Sequence, residues 1–187
     1  REKIKMRKDH SATVKIPEGV SVHISGNEII VKGKEGENKK TFNMKKIVTK
    51  QEGNELKISC KGATKNEKKM INTLAAHLRN MIKGVGIKYQ YKLKVCASHF
   101  PVTVELKGNK AIIKNFLGEN IPRKVSIPTG VEVDIDKDII TITSTDKELA
   151  GQASANFEKT TWIRNRDRRV FHDGIFITQK AIRVEEE

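Results

Sequence analysis

"GNEIIVKGKEGEN" occupies residues 26–38 and "GNKAIIKNFLGEN" occupies residues 108–120. The two thirteen-residue stretches share seven identical positions and lie 82 residues apart. An internal repeat decides how the rest of a chain is parsed. Val20 and Val22 match Val102 and Val104 at the same offset, so the register runs from a strand into the turn after it. A competing pair, "IPEGV" at 16–20 and "IPTGV" at 127–131, lies 111 apart. The helical stretch from Glu67 to Lys83 arbitrates. An offset of 111 would put its copy at 178 and beyond, where the sequence runs out, whereas 82 puts it at 149–165, where "LAGQASANFEKTTWIRN" reads as a helix. The 82-residue period is therefore the domain repeat. The I-P-x-G-V pair becomes a recurring strand entry, with proline fixing φ and glycine making a bend.

The 187 residues divide into halves large enough for a sheet and a helix sharing a modest core. The expected division is a basic N-terminal extension at 1–12, a first repeat at 13–84, a second at 85–180, and an acidic tail at 181–187. "VSVHIS" and "EIIVKG" flank the first Gly-Asn pair, which is a hairpin signal. "KKTFNM", "KIVTKQ" and "ELKISC" continue the strands. In the helix that follows, Ile71, Leu74, Ala75, Leu78 and Ile82 recur at the period of one buried face. Lys69, Asn72, Ala76, Arg79 and Lys83 form the opposite stripe. The second half repeats the grammar with "YKLKVCA", "VTVELK", "AIIKNF", "RKVSI", "VEVDID" and "IITITS". Its helix begins at Lys147, with Leu149, Ala153 and Phe157 as the apolar stripe and small residues for close approach to a sheet. The fold class is α+β: a tandem repeat of two small domains, each an antiparallel β-sheet packed against one α-helix. Gly84 and Gly86 read as a helix stop and a bend into the second domain.

Hydrophobic residues are 36% and charged residues 32% of the chain. No apolar run approaches the roughly 18–20 residues of a membrane span, and "REKIKMRKDHS" has no apolar signal-peptide core. Cys60 and Cys96 sit in β-like runs without a CxxC, the pattern of reduced thiols in a cytosolic protein. His10, His23, His77, His99 and His172 include no pair at metal-ligand spacing. No Walker loop, dinucleotide fingerprint or nucleophile elbow occurs. Glu132, Asp134 and Asp136 alternate on one strand, as a solvated face does. The reading excludes an enzyme and calls for no cofactor, metal or small-molecule substrate.

Charge points to a partner. Lys and Arg outnumber Asp and Glu by 37 to 23, for a net +14. Residues 1–94 hold 23 basic and 9 acidic side chains, and residues 95–187 hold 14 of each. That partition suits a polyanion on selected faces. "RNRDRR" places Arg164, Arg166, Arg168 and Arg169 at the expected exit of the second helix. Bidentate phosphate contact favours arginine; the alternative is an exposed helix end complementing its dipole, which needs fewer bases. Lys88, Lys92 and Lys94 alternate with Tyr89 and Tyr91, giving either a basic RNA face or ordinary cross-strand tyrosines. Lys69, Arg79 and Lys83 are the third candidate set. The stretch "KGKEGENKK" reads as a mobile hairpin of mixed sign. Aromatics are 5% of the chain and the one tryptophan, Trp162, is expected to be packed. The expected target is folded RNA, met through phosphate and shape.

"RNMIKGV" (79–85), "HFPVTV" (99–104), "NFLGE" (115–119), "IPTGV" (127–131) and "DGIFI" (173–177), in this order, resemble the large-subunit ribosomal protein family called L-six in bacteria and L-nine in eukaryotes. The resemblance runs from about Thr13 to Gln179, and "KYQYK…HFP…NFLGE" is similar to the eukaryotic-type members. It implies a cytoplasmic, non-catalytic constituent of the large ribosomal subunit that supports translation, with nucleolar assembly if the source is eukaryotic. It also implies binding to ribosomal RNA near the sarcin–ricin loop and the stalk base, beside neighbouring ribosomal proteins. The other function class is a free-standing nucleic-acid-binding or scaffold protein with the same duplicated fold.

Overall fold

Gly26 and Gly108 both open two-residue hairpin turns, with φ of +59° and +58°. Ser25 faces Glu28 across the first turn, and Lys107 faces Lys110 across the second. Glycine at the first central position of such a turn supplies the positive φ that matches strand twist. The computed structural model describes residues 9–42, 46–167 and 169–183. The chain divides into two units, 1–86 and 87–187. The stretches 1–8, 43–45 (which takes in the end of "KKTFNM") and 184–187, with Arg168, lie outside the described residues.

The first unit contains β1 (His10–Lys15), β2 (Ser21–Ser25), β3 (Glu28–Gly33), β4 (Gly36–Thr41), β5 (Val48–Glu52), β6 (Glu55–Cys60) and α1 (Lys65–Gly86). Its strands form two three-stranded antiparallel sheets, β1-β6-β5 and β2-β3-β4. The second unit contains β7 (Tyr89–Cys96), β8 (Thr103–Lys107), β9 (Lys110–Lys114), a 3-10 turn (Phe116–Gly118), β10 (Arg123–Ser126), β11 (Glu132–Asp136), β12 (Ile139–Ser144), α2 (Lys147–Thr160) and β13 (Gly174–Arg183). Here the sheets are β10-β9-β8 and the four-stranded β11-β12-β7-β13. The α+β duplication therefore holds, with the strands of each unit shared between two sheets. Among the described residues, no helix is long and apolar enough to cross a membrane.

The 82-residue offset is right where it starts and drifts elsewhere. Ile29 and Val31 correspond to Ala111 and Ile113, all fully buried. After that, the second unit inserts the turn at Phe116–Gly118 between β9 and β10, where the first unit has a tight hairpin. The two identical "GEN" triplets are consequently not equivalent: Gly36 opens β4 opposite Gly33, and Gly118 closes the 3-10 turn. "IPEGV" and "IPTGV" each lead into a strand, β2 and β11, with Gly19 at φ +83° and Gly130 at φ +85°.

In α1 the stripe read from spacing is the buried one, joined by Met81 and Val85. Thr64 and Glu67 cap its start: the Glu67 carboxylate accepts hydrogen bonds from the Thr64 backbone N–H (2.8 Å) and hydroxyl. A glutamate reaching back to the N–H of the capping residue in this way satisfies a donor left over at a helix start. The Thr64 hydroxyl and then its N–H hold the Glu67 carboxyl below its ordinary range. Gly84 does not stop the helix, which runs on to Gly86. Gly84 and Val85 are buried, and the Glu35 N–H donates to the Val85 carbonyl at 2.9 Å. Packing under the β3–β4 turn outweighs the low helix propensity of glycine. That stretch, "KGKEGENKK", is thus a paired hairpin docked on the helix rather than a mobile one.

This docking yields a prediction. A Cβ on Gly33 would lie 2.5 Å from Val85 Cγ1 and 3.1 Å from its carbonyl oxygen. Gly33→Ala is expected to destabilise the first unit by about 1–3 kcal/mol, the usual cost of overpacking. Denaturant unfolding measures it, and an unchanged midpoint would mean the turn moves aside freely.

Other expectations shift with the boundary. Strand β1 begins at His10, inside the stretch expected as an extension. With the division after Gly86, Lys88, Lys92 and Lys94 belong to the second unit. The first then carries 20 basic and 9 acidic residues, the second 17 and 14. The asymmetry survives. Helix α2 stops at Thr160, not at the expected 165. Thr160 and Thr161 hydroxyls bond back to helix carbonyls, and the Thr161 hydroxyl also accepts the Ile175 N–H at 3.0 Å. The chain is thereby turned into the connection to β13.

Candidate nucleic-acid interface

The motifs "HFP", "NFLGE" and "DGIFI", far apart in sequence, meet at one place in the second unit. Asp173, 2% exposed, joins two of them. One carboxylate oxygen accepts the backbone N–H groups of Ser98 (2.6 Å) and His99 (3.0 Å), and the other lies 2.6 Å from His99 Nδ1. Burial of the carboxyl pushes its pKa up; the His99 N–H, the His99 ring and the Ser98 N–H outweigh that and leave it lowered. The His99 ring lies 4.8 Å from the Phe171 ring, and the Arg166 guanidinium sits 5.0 Å over Phe171. The Asn115 side-chain amide donates to the Pro101 carbonyl at 2.9 Å.

The 3-10 turn is held from the other side by Arg123. Its guanidinium grips the Glu119 carboxylate through two bonds of 2.8 and 2.5 Å. It also donates to the Thr160 carbonyl at the end of α2 (2.6 Å) and lies 4.4 Å over the Phe116 ring. A planar fork can meet a carboxylate, a helix end and a ring face at once. The Arg123 hydrogen bonds keep the Glu119 carboxyl below its ordinary range. Within the turn, Asn115 (φ 58°) and the buried Leu117 (φ 52°) are left-handed. Such backbone costs of order 1–3 kcal/mol per residue and persists only when its surroundings over-determine it. Arg123 and Asn115 supply that.

Above this scaffold is a hollow of about 440 Å³ lined by Glu119, Arg123, Lys159, Trp162, Arg164 and Arg166, among others. Four cations face one carboxylate, which Arg123 already satisfies. Lys159, Arg164 and Arg166 are exposed and make no ion pair among the described residues. Positive groups converging on a concave, preformed surface suit phosphate oxygens.

Of the arginines expected to act together, the structure brings Arg164 and Arg166 to this hollow. They lie in the α2–β13 connection, four and six residues beyond the helix, so they do not complement its dipole. Arg169 instead binds Asp167 at 3.0 Å, and its side chain and that carboxylate are mutually charge-compensated. Arg168 is outside the described residues. Lys88 is paired with Glu132 at 3.0 Å. Lys92 and Lys94 are exposed on the outer face of β7, while Tyr89 and Tyr91 are buried beneath it; the tyrosines are core residues. Glu132, Asp134 and Asp136 are exposed, as a solvated edge should be. Lys69, Arg79 and Lys83 are exposed along α1 in the other unit. Trp162, expected to be packed, is 54% exposed. Arg123 carries no signal in the sequence alone, since only the folded connections bring it to Arg164, whereas Lys159 opens the basic run that ends at Arg169. Among the described residues no cluster of histidine, cysteine and carboxylate could hold a metal ion.

The family model described as ribosomal protein L6 matches residues 16–86 and 100–174. The large ribosomal subunit protein uL6 of Methanococcus vannielii is 39% identical over 171 residues, spanning 91% of this chain and 94% of its own. That of Methanothrix thermoacetophila is 41% identical over 165 residues, spanning 88% and 94%. That of Methanobrevibacter smithii is 40% identical over 167 residues, spanning 89% and 94%.

Proposed function

Because the chain belongs to the ribosomal protein L6 family, we propose that it is a structural constituent of the large ribosomal subunit whose second unit grips ribosomal RNA. The family is structural rather than enzymatic. The observation that carries the RNA reading is the hollow beside α2, where Arg123, Lys159, Arg164 and Arg166 converge on a surface fixed by the Arg123 fork and the contacts of the buried Asp173. The exposed Lys92 and Lys94, and Lys69, Arg79 and Lys83 of the first unit, supply further phosphate contacts. In the finer form of the proposal, the RNA is that near the sarcin–ricin loop and the stalk base, neighbouring ribosomal proteins flank the chain, and assembly is nucleolar if the source is eukaryotic.

Sedimentation tests the first part. The chain should remain at one copy per large-subunit particle through a high-salt wash; a free peak at the top of the gradient would overturn the ribosomal reading. For the second, the chain should bind a transcript of the sarcin–ricin region more tightly than a transfer RNA at physiological salt. Equal binding to both would remove the site assignment and leave nonspecific electrostatics.

A further inference from the structure

A second hollow, of about 410 Å³, adjoins the cationic one and shares Lys159, Trp162 and Ile163 with it. Its other walls include Phe171, His172, Ile175 and Phe176. Trp162 is 54% exposed and Phe176 41%. Lys94 faces Phe176 across the β7–β13 ladder, so a further exposed cation flanks the groove on the sheet side. The floor is fully built: Thr161 is 3% exposed with its hydroxyl in hydrogen bonds, and Asp173 is held by Ser98 and His99.

We propose that this groove receives a single unpaired nucleobase of the bound RNA, stacked against Trp162, while its flanking phosphates lie on Lys159, Arg164 and Arg166. The inference rests on the RNA reading above and deepens it. Its occupant follows from charge: an apolar slot whose approaches are lined with cations suits a flat apolar face attached to a polyanion. Sequence-specific readers of folded RNA typically take bases splayed from bulges and loops onto aromatic side chains. The slot's volume falls within the range of small-ligand pockets. Its walls also carry Glu158 and His172, which offer polar atoms to a base edge. The surface is thus more than a phosphate clamp: it selects RNA in which one base is free to leave the stack.

Trp162 is the only tryptophan in the chain, so its fluorescence reports on this groove alone. Three RNA hairpins of one stem sequence serve as probes: one fully paired, one with a single-adenosine bulge, and one with an abasic residue at the bulge. The adenosine bulge is expected to bind roughly tenfold tighter than the abasic one, in line with the worth of base–aromatic stacking, and to quench Trp162. Trp162→Ala should abolish the difference between adenosine and abasic hairpins, and Trp162→Phe should keep most of it. Binding that ignores the base, with Trp162 unquenched, would overturn the base site and leave the groove to a protein partner. Failure of every hairpin to bind would overturn the RNA reading itself.

Discussion

Asp173→Ala should destabilise the second unit by about 3 kcal/mol, because it removes the buried carboxylate that accepts from the Ser98 and His99 N–H groups and meets the His99 ring, and a hydrogen bond to a charged group is worth about 1.5–3 kcal/mol. Asp173→Asn keeps one acceptor oxygen and should lose less. The same carboxylate makes stability depend on pH. Its folded pKa lies below the ordinary value for aspartate, about 3.9. The ionised group therefore contributes stability in full above that ordinary value, and the contribution is lost as pH falls through the lower folded value. Denaturant midpoints measured from pH 6 downward should fall in the wild type and fall less in Asp173→Asn. Parallel profiles for the two proteins would show that Asp173 is not the group responsible.

The triple variant Lys159→Gln, Arg164→Gln, Arg166→Gln should bind a large-subunit RNA fragment at least about tenfold more weakly at physiological salt. Each phosphate contact contributes roughly 0.7–0.9 to the slope of log affinity against log salt, so the slope should flatten by about 2–3 units. The fold should survive, since all three side chains are exposed and surface changes usually stay within about 0.5 kcal/mol. Arg169→Gln is the matched control. Its charge is compensated by Asp167 at 3.0 Å, so the slope should barely change. A larger effect from Arg169 than from the triple variant would mean that RNA breaks the Arg169–Asp167 pair and binds there.

Local periodicity made much of the fold legible. The α1 stripe from Ile71 to Ile82 needs only the 3.6-residue repeat, and both Gly-Asn hairpins need only turn chemistry and flanking apolar residues. The elements that escaped are those whose signal is weak or interrupted. Strand β1, "HSATVK", alternates around just Ala12 and Val14. Strand β13 pairs with β7 through two register shifts and holds Ala181 at φ +45°, so no clean alternation marks it. The end of α2 is set by threonine hydroxyls answering carbonyls and by Arg123 reaching Thr160 from another sheet. At the site, the arginines at 164 and 166 were visible as a charge cluster. Their setting was not, because the hollow exists only where residues 117–123 and 159–166 meet. The exposure of Trp162 belongs to that same tertiary arrangement: one tryptophan in sequence gives no hint of which side it faces.

Ultraviolet cross-linking of the chain to a large-subunit RNA fragment, with the linked peptides identified by mass spectrometry, tests the central claim most directly. The account predicts links concentrated in peptides covering residues 115–123 and 159–176, Trp162 among them, and lost in the Lys159, Arg164, Arg166 triple variant. Links confined to residues 65–83 of the first unit, and unaffected by that variant, would contradict it.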